Sequence, residues 1–477
     1  MFFQQIFEEK LAQYAYLIGC QKTGEAIIVD PMRDIARYET IAAKNKLKIV
    51  AATETHIHAD YLSGLRELAE DGIKVFVSDE GDIDWKYNWV IGSKYTHQLL
   101  KDGDEFSIGN IKFKTVYSPG HTPEHISFLV TDGATTDEPM GLLSGDFIFV
   151  GDVGRPDLLE TAAGEVGAMD KSAKTLYKSI EKFKTMPEYL QLWPGHGAGS
   201  ACGKALGAVP ESTVGYEQRF NGSIKAAITE KDFVDYILDG QPEPPLYFAR
   251  MKRDNKNGPK VLGEIPAPER MSVQSMIGAT RTSNAVIVDA RRDRMEFMNG
   301  HIQGSLYAPF NKTFNTIAGS YISDDEEIFL IIEKDKVEEA VLDLIRIGLD
   351  KVKGYATPKD LEAFGEKGSL FATETIDFEK VDELMPTGDY NLLDVRKSSE
   401  FEEGHHPQAI NIAHTRLEDR KEEIPSEKPV LVHCKSGARA AAASAMLEKE
   451  GFVVQYINDA VEPWLAGKEI KNDSIKN

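Results

Sequence analysis

Residues 55–64 read THIHADYLSG. Two histidines stand two positions apart, and Asp60 follows at the same spacing. In a strand, residues i, i+2 and i+4 share a face, and in the loop leaving a strand that spacing still brings side chains together. The run KIVAATETHIH reads as a strand ending in this polar cluster. YLSGLRELAED then carries Leu62, Leu65, Leu68 and Ala69 at helical spacing. His56, His58 and Asp60 therefore fall at a strand-to-helix junction, where α/β scaffolds build sites.

Further along, YSPGHTPEH puts His121 in a Gly/Pro-framed turn after the strand-like IKFKTVY. GLLSGDFIFVGDVGRPDL puts Asp146 at the end of an apolar run, and LQLWPGHGAGS puts His196 after another. A lone His-x-His is a weak signal that also reads as a hydrogen-bonded surface pair. His-x-His-x-Asp, Gly-His-Thr, Ser-Gly-Asp and Gly-His-Gly in that order read as a metal site.

That order resembles the metallo-β-lactamase superfold, an αββα sandwich, over residues 1–245. The resemblance implies a first metal on histidines like His56, His58 and His121 with a carboxylate like Asp146. It implies a second metal on an aspartate like Asp60, the histidine that normally follows it, and a histidine like His196. Here Tyr61 follows Asp60. A phenol, with a reference pKa of about 10, is a poor substitute for imidazole. The second site is one ligand short, which points to the one-metal branch, the persulfide dioxygenases. Carried over, the ligands of one Fe(II) per chain are His56, His121 and Asp146, with His58, Asp60, Tyr61 and His196 around them. GDVGRPDL also resembles this group, with Arg155 and Asp157 as site-shaping residues; an ordinary structural ion pair is the competing reading. STVGYEQRFN resembles the tail of the same enzymes. The alternative is a dizinc thioester hydrolase of the glyoxalase II type.

Length and charge bound the rest. A chain of 477 residues suggests about three domains. A net charge of −22 excludes non-specific nucleic-acid binding. No run approaches the ~18 uncharged apolar residues of a membrane helix, and the N-terminal MFFQQIFEEKLAQ is no secretory signal. Cys20, Cys202 and Cys434 are too few and too scattered for a disulfide framework, so a reducing, cytoplasmic setting is expected. Cys202, in a Gly/Ser/Ala-rich loop just after His196, is a candidate for the pocket mouth. Cys20, at the end of YAYLIGC, reads as packing.

Pro, Gly and charge mark a linker at 246–265. Two units that resemble each other follow, at 266–370 and 371–477. NAVIVDARRDRMEFMNGHIQGSLYAPF and YNLLDVRKSSEFEEGHHPQAINIAH both read strand, Asp-x-Arg, Phe, Gly-His, second strand. Each later has an apolar strand and a helix, so each is expected to be a small parallel-sheet α/β domain.

In VLVHCKSGARAAAASAML a buried strand runs into Cys434, then CKSGAR leads into an alanine-rich helix. Loop N–H groups, the helix N-terminus, Lys435 and Arg439 all favour a thiolate there. The cradle is shorter than the Cys-x₅-Arg of cysteine phosphatases and resembles the rhodanese family, in which the cysteine carries a sulfane sulfur. Asp394 and Arg396 match that resemblance. A gap-free alignment of IFLIIEKDKVEEA places Glu333 opposite Cys434 and Glu338 opposite Arg439, so the first copy is expected to be catalytically silent.

The whole chain thus resembles bacterial persulfide dioxygenase–rhodanese fusions: a metallo-β-lactamase αββα domain followed by two rhodanese-like α/β domains. The resemblance implies a thiol persulfide and O₂ as substrates, sulfite passed on to give thiosulfate, and self-association as a homo-oligomer. Nothing in the sequence separates glutathione, coenzyme A and bacillithiol as the carrier.

Overall fold

The computed structural model describes residues 1–161, 167–366, 368 and 370–466. The chain divides into two compact units. The first is Met1–Ile265 with Ile345–Gly348; the second is Pro266–Leu344 with the chain from Leu349 onward.

The first unit is built on two six-stranded sheets. One runs in sequence order through Phe2–Glu8, Gln13–Cys20, Glu25–Val29, Lys48–Thr53, Lys74–Ser78 and His97–Leu100. Its first strands pair antiparallel and the rest parallel. The other runs Ser212–Thr213, Gln191–Pro194, Gly141–Gly145, Ile126–Asp132, Ile111–Tyr117, Glu105–Ile108. Alternation decides how they stack, because successive side chains leave a strand on opposite faces. Tyr16, Ile18, Ile27 and Val29 point inward, onto Phe113, Phe128, Val130 and Trp193 of the second sheet. Their neighbours Ala15, Leu17, Ala26 and Ile28 point outward, onto Tyr38 and Ala42 of helix Ala36–Lys44 and Leu68 of helix Leu65–Glu70. The outer face of the second sheet, Leu142 and Leu192, is covered by Ala173, Leu176, Ile180 and Phe183 of helix Ala168–Phe183. These are the expected αββα layers. Strands with both faces covered read as continuous apolar runs.

Within the stretch expected as a linker, Tyr247–Asn257 is a helix of this first unit. Tyr247, Phe248, Met251 and Asn255 are its buried residues. Only one narrow face is apolar, and Lys and Arg cover the rest. A composition shift therefore masked a three-to-four-residue period.

The second unit holds two five-stranded sheets. One is Glu269–Arg270, Val352–Ala356, Glu327–Ile331, Ala285–Asp289, Leu306–Tyr307; the other is Glu374–Ile376, Val454–Ile457, Val430–His433, Asn391–Asp394, Ala409–Asn411. All pairings are parallel and the strand order is the same, as the internal repeat requires. The shared motif has one physical job in both copies. Arg291 grips Asp289 at 2.7 Å and the Gly300 carbonyl at 2.8 Å. Arg396 grips Asp394 at 2.6 Å and the Gly404 carbonyl at 2.8 Å. His301 stacks on Phe297 and His405 on Phe401. Each arginine ties a strand end to the loop that leads into the next strand.

Candidate functional site

His56, His58 and Asp60 lie on the loop after Lys48–Thr53. His121 follows Ile111–Tyr117, Asp146 follows Gly141–Gly145, and His196 follows Gln191–Pro194. All are buried. One ligand atom each from His56, His121 and Asp146 lies within 4.8 Å of the others. His56 Nε2 is 3.8 Å and His121 Nε2 3.6 Å from Asp146 Oδ2. That oxygen is buried and has no hydrogen-bond partner among the described residues. A buried carboxylate oxygen without a partner is costly unless a cation faces it, so these residues fit a metal ion.

The imidazoles are turned for the task. His121 Nδ1 donates to the Arg155 carbonyl at 2.9 Å, which leaves the Nε2 lone pair for the centre. Thr55 Oγ1 is within 3.3 Å of both Asp30 carboxylate oxygens and 3.0 Å from His56 Nδ1. Its single proton goes to the carboxylate, so its lone pair takes the His56 Nδ1 proton. Burial holds His56 and His121 below the usual histidine range, hence neutral. Burial works against the charge of Asp146, but His196 holds its carboxyl well below the usual range. Neutral imidazole and ionised carboxylate are the states a metal needs.

The surrounding residues have distinct jobs. His196 lies between two carboxylates, with Nδ1 2.7 Å from Asp146 Oδ1 and Nε2 2.8 Å from Asp60 Oδ2. His58 Nε2 is 3.2 Å from Asp30. Tyr61 is turned away: its hydroxyl donates to the Asp30 carbonyl at 3.3 Å and accepts from Gln13 at 3.2 Å. Arg155 and Asp157 lie side by side beneath His121. They form a bidentate pair at 2.8 and 2.6 Å, and Arg155 also reaches the Ala201 and Pro242 carbonyls while its own carbonyl orients His121. Cys202 is fully buried rather than at a pocket mouth, and its Sγ is within 4.8 Å of Asp60 and His196 ligand atoms. Burial, with Asp60 and Asp146 adding, pushes its thiol well up. Cys20 is buried in the core between the sheets.

Three participants were not singled out in the sequence. His125 Nε2 accepts the Asp146 backbone N–H at 3.1 Å, and its ring stacks on His56. Asp30, the last letter of EAIIVD, accepts from the Thr55 N–H at 2.7 Å. Asn255, in the presumed linker, donates to the His58 and Tyr61 carbonyls at 2.8 and 2.7 Å. The strand-end aspartate and the second histidine of GHTPEH were visible signals; Asn255 had none.

In the second unit, Cys434 follows strand Val430–His433, and Gly437 caps helix Ala438–Lys449 at φ +94°. The Gly437 N–H donates to Cys434 Sγ at 3.2 Å. The two expected cations do not face the sulfur as free charges. Lys435 pairs with Glu462 at 2.8 Å, and Arg439 makes a bidentate pair with Glu400, one arm at 2.8 Å. The local positive potential at Cys434 therefore comes chiefly from backbone N–H groups and the helix end.

The strand register corrects the gap-free alignment of the repeats. Asp289 pairs with Ile331 and Asp394 with His433. Ile332, not Glu333, therefore stands opposite Cys434, and the first loop is one residue longer before its helix begins at Val337. The residue standing opposite the cysteine is thus an isoleucine rather than the expected glutamate.

Residues 9–196 match the metallo-beta-lactamase superfamily, and residues 377–466 match the rhodanese-like domain. A metallo-beta-lactamase of Staphylococcus aureus, known from its crystal structure, is 41% identical, covers 75% of this chain and 98% of its own, and aligns with a TM-score of 0.66. The mitochondrial persulfide dioxygenase ETHE1 of Bos taurus is 29% identical over 199 residues, 40% of this chain and 67% of that protein. A probable metallo-hydrolase of Burkholderia pseudomallei is 29% identical over 295 residues, 56% of this chain and 95% of that protein. The chain belongs to the metallo-beta-lactamase superfamily, as a fusion in which that domain is followed by a rhodanese-like domain built around Cys434.

Proposed function

We propose that the first unit is a persulfide dioxygenase using one Fe(II), and that the repeat holding Cys434 converts its product to thiosulfate in sulfide detoxification. The observation that carries this is the buried set His56, His121 and Asp146, with Tyr61 turned onto Asp30. Two histidines and one carboxylate with open positions is the donor set of non-haem iron oxygen chemistry. Bound there by His56, His121 and Asp146, the iron would supply the redox chemistry that lets O₂ oxidise a persulfide sulfur. The chain's own part is to hold the donors. The Arg155 carbonyl and Thr55 Oγ1 fix the imidazole tautomers. His196 fixes Asp146 Oδ1 and leaves Oδ2 to the centre.

The overall reaction balances as RSSH + O₂ + H₂O → RSH + SO₃²⁻ + 2H⁺, with the outer sulfur oxidised and O₂ reduced. At the second site the Cys434 thiolate attacks the outer sulfur of a persulfide and the thiolate RS⁻ leaves. Sulfite then attacks that sulfur, the Cys434 S–S bond breaks, thiosulfate departs and the Cys434 thiolate is restored. The Gly437 N–H is aimed at the atom that carries negative charge. Three cysteines without disulfides suit the reducing cytoplasm.

A second reading, hydrolysis with two zinc ions, draws on one observation: Asp60, His196 and Cys202 form a second cluster of ligand atoms. Against it, both His196 nitrogens are taken by carboxylates and the Cys202 thiol is pushed up. Metal analysis and oxygen uptake with several thiol persulfides, on anaerobically iron-loaded protein, decide between them. One iron per chain and persulfide-dependent oxygen uptake are expected. Two zinc ions with thioester hydrolysis and no oxygen uptake would overturn the proposal.

A further inference from the structure

The Cys434 loop is held by a side chain from the catalytically silent repeat. Arg294 opens helix Arg294–Asn299 of that repeat. Its Nη2 donates to the Ser436 carbonyl at 3.1 Å, and its Nε donates to Asn458 Oδ1 at 3.0 Å. Asn458 is itself fixed, its Nδ2 3.3 Å from Met295 Sδ of the same helix as Arg294. The Tyr456 hydroxyl lies 3.1 Å from the Gly437 carbonyl and 3.0 Å from Asn458 Oδ1.

The Ser436 carbonyl and the Gly437 N–H belong to one planar peptide and point in opposite directions. The carbonyl end is bound by Arg294; the N–H end is bound to Cys434 Sγ at 3.2 Å. A guanidinium on the carbonyl fixes which way this peptide faces and polarises it, so the N–H becomes a stronger donor to sulfur. The space is closed. A Cβ on Gly437 would fall 2.5 Å from the Tyr456 hydroxyl, 2.7 Å from Asn458 Oδ1 and 3.3 Å from Arg294 Nε. The arginine is no part of the repeated motif, since counting back from the shared Phe297 and Phe401 puts Ser398, the first residue of the equivalent helix, at the corresponding place. Lys435 and Arg439, the cations of the loop itself, are paired with Glu462 and Glu400.

We infer that Arg294 is a positioning residue for Cys434, supplied by the silent repeat, which aims the Gly437 N–H at the sulfur that receives and gives up the transferred atom. This rests on the sulfurtransferase reading of Cys434. It also gives the silent repeat a task at the second site that needs no nucleophile of its own.

The test uses the full chain with Arg294→Met and Arg294→Lys. One readout is the rate of Cys434 alkylation by iodoacetamide, followed by mass spectrometry on the Cys434 peptide so that Cys20 and Cys202 do not contribute. The other is thiosulfate formation from sulfite and the persulfidated protein. In Arg294→Met both rates should fall about tenfold, the worth of one charge-assisted hydrogen bond. The fall should be in kcat, with KM for sulfite little changed. Arg294→Lys, which keeps a cationic donor, should recover much of the loss. Equal rates in wild type and Arg294→Met overturn the inference. So does a loss that Arg294→Lys shares in full, which would mark a packing effect. Failure of the wild type to form thiosulfate would instead sink the sulfurtransferase reading, while the alkylation rates still decide the role of Arg294.

Discussion

An alanine at position 195 would place its Cβ 2.5 Å from Asp146 Oδ1. The glycine before His196 therefore shapes the candidate metal centre, because Asp146 occupies the space a side chain would take. Gly195→Ala is expected to displace Asp146, lower bound iron about tenfold or more, and leave sulfur transfer at Cys434 intact; metal analysis beside both assays checks this. His414 carries a second residue-scale expectation. Burial, with Arg439 and Lys397 adding, pushes it down to about 3. The folded chain thus holds a neutral imidazole where the unfolded chain takes a proton near pH 6.5. Its contribution is present above that pH and is lost as pH falls from about 6.5 toward 3, by at most ~1.4 kcal/mol per pH unit. Denaturant unfolding at pH 7.5 and 5 should show a smaller pH difference in His414→Gln than in wild type. The clustering of His56, His121 and Asp146 was legible from sequence because strand ends and glycines frame each of them. Asp30 and His125 were visible as a strand-end aspartate and the second histidine of GHTPEH, but their roles were not, because these lie in contacts with Thr55 and Asp146 that only the fold creates.

At the scale of elements, the helix Tyr247–Asn257 is the clearest departure from the sequence reading. Its Asn255 is buried and bonds the His58 and Tyr61 carbonyls and the Ser63 N–H, bracing the loop that carries His58 and Asp60. Removing that amide leaves buried backbone groups without partners, at about 1–3 kcal/mol each. Asn255→Ala should lower unfolding stability by at least about 3 kcal/mol on that account and weaken iron retention in a chelator competition. Unchanged stability and unchanged retention would show the loop to be held by other means. Polar composition hid this helix because only its narrow buried stripe carries the period. The repeats show the opposite case. Asp-x-Arg and Gly-His were readable as a pair because each makes the same local contacts in both copies. The one-residue offset at Ile332 was not, since register is set by strand pairing, and a gap-free comparison cannot see an inserted residue in a loop.

For the whole molecule, the residues of the two proposed chemistries sit in separate units, so the activities should be separable by single substitutions. Cys434 ends a buried strand, with the Gly437 N–H on its sulfur. A serine there keeps nearly the same volume and an oxygen that can accept that N–H, so the fold should tolerate Cys434→Ser. Serine cannot carry a sulfane sulfur, because its hydroxyl is not ionised at neutral pH and no O–S–S adduct takes the place of the persulfide. The donors proposed for the iron, His56, His121 and Asp146, lie in the first unit and need nothing from position 434. Wild type supplied with a thiol persulfide and O₂ should then yield mainly thiosulfate. Cys434→Ser should consume oxygen at an undiminished initial rate and yield mainly sulfite. Following oxygen, sulfite and thiosulfate together checks both halves at once. Thiosulfate formed by the variant at the wild-type rate would mean that the sulfur travels another way. Cys202 would then be the thiol to replace next, because its Sγ lies beside Asp60 and His196 at the metal centre.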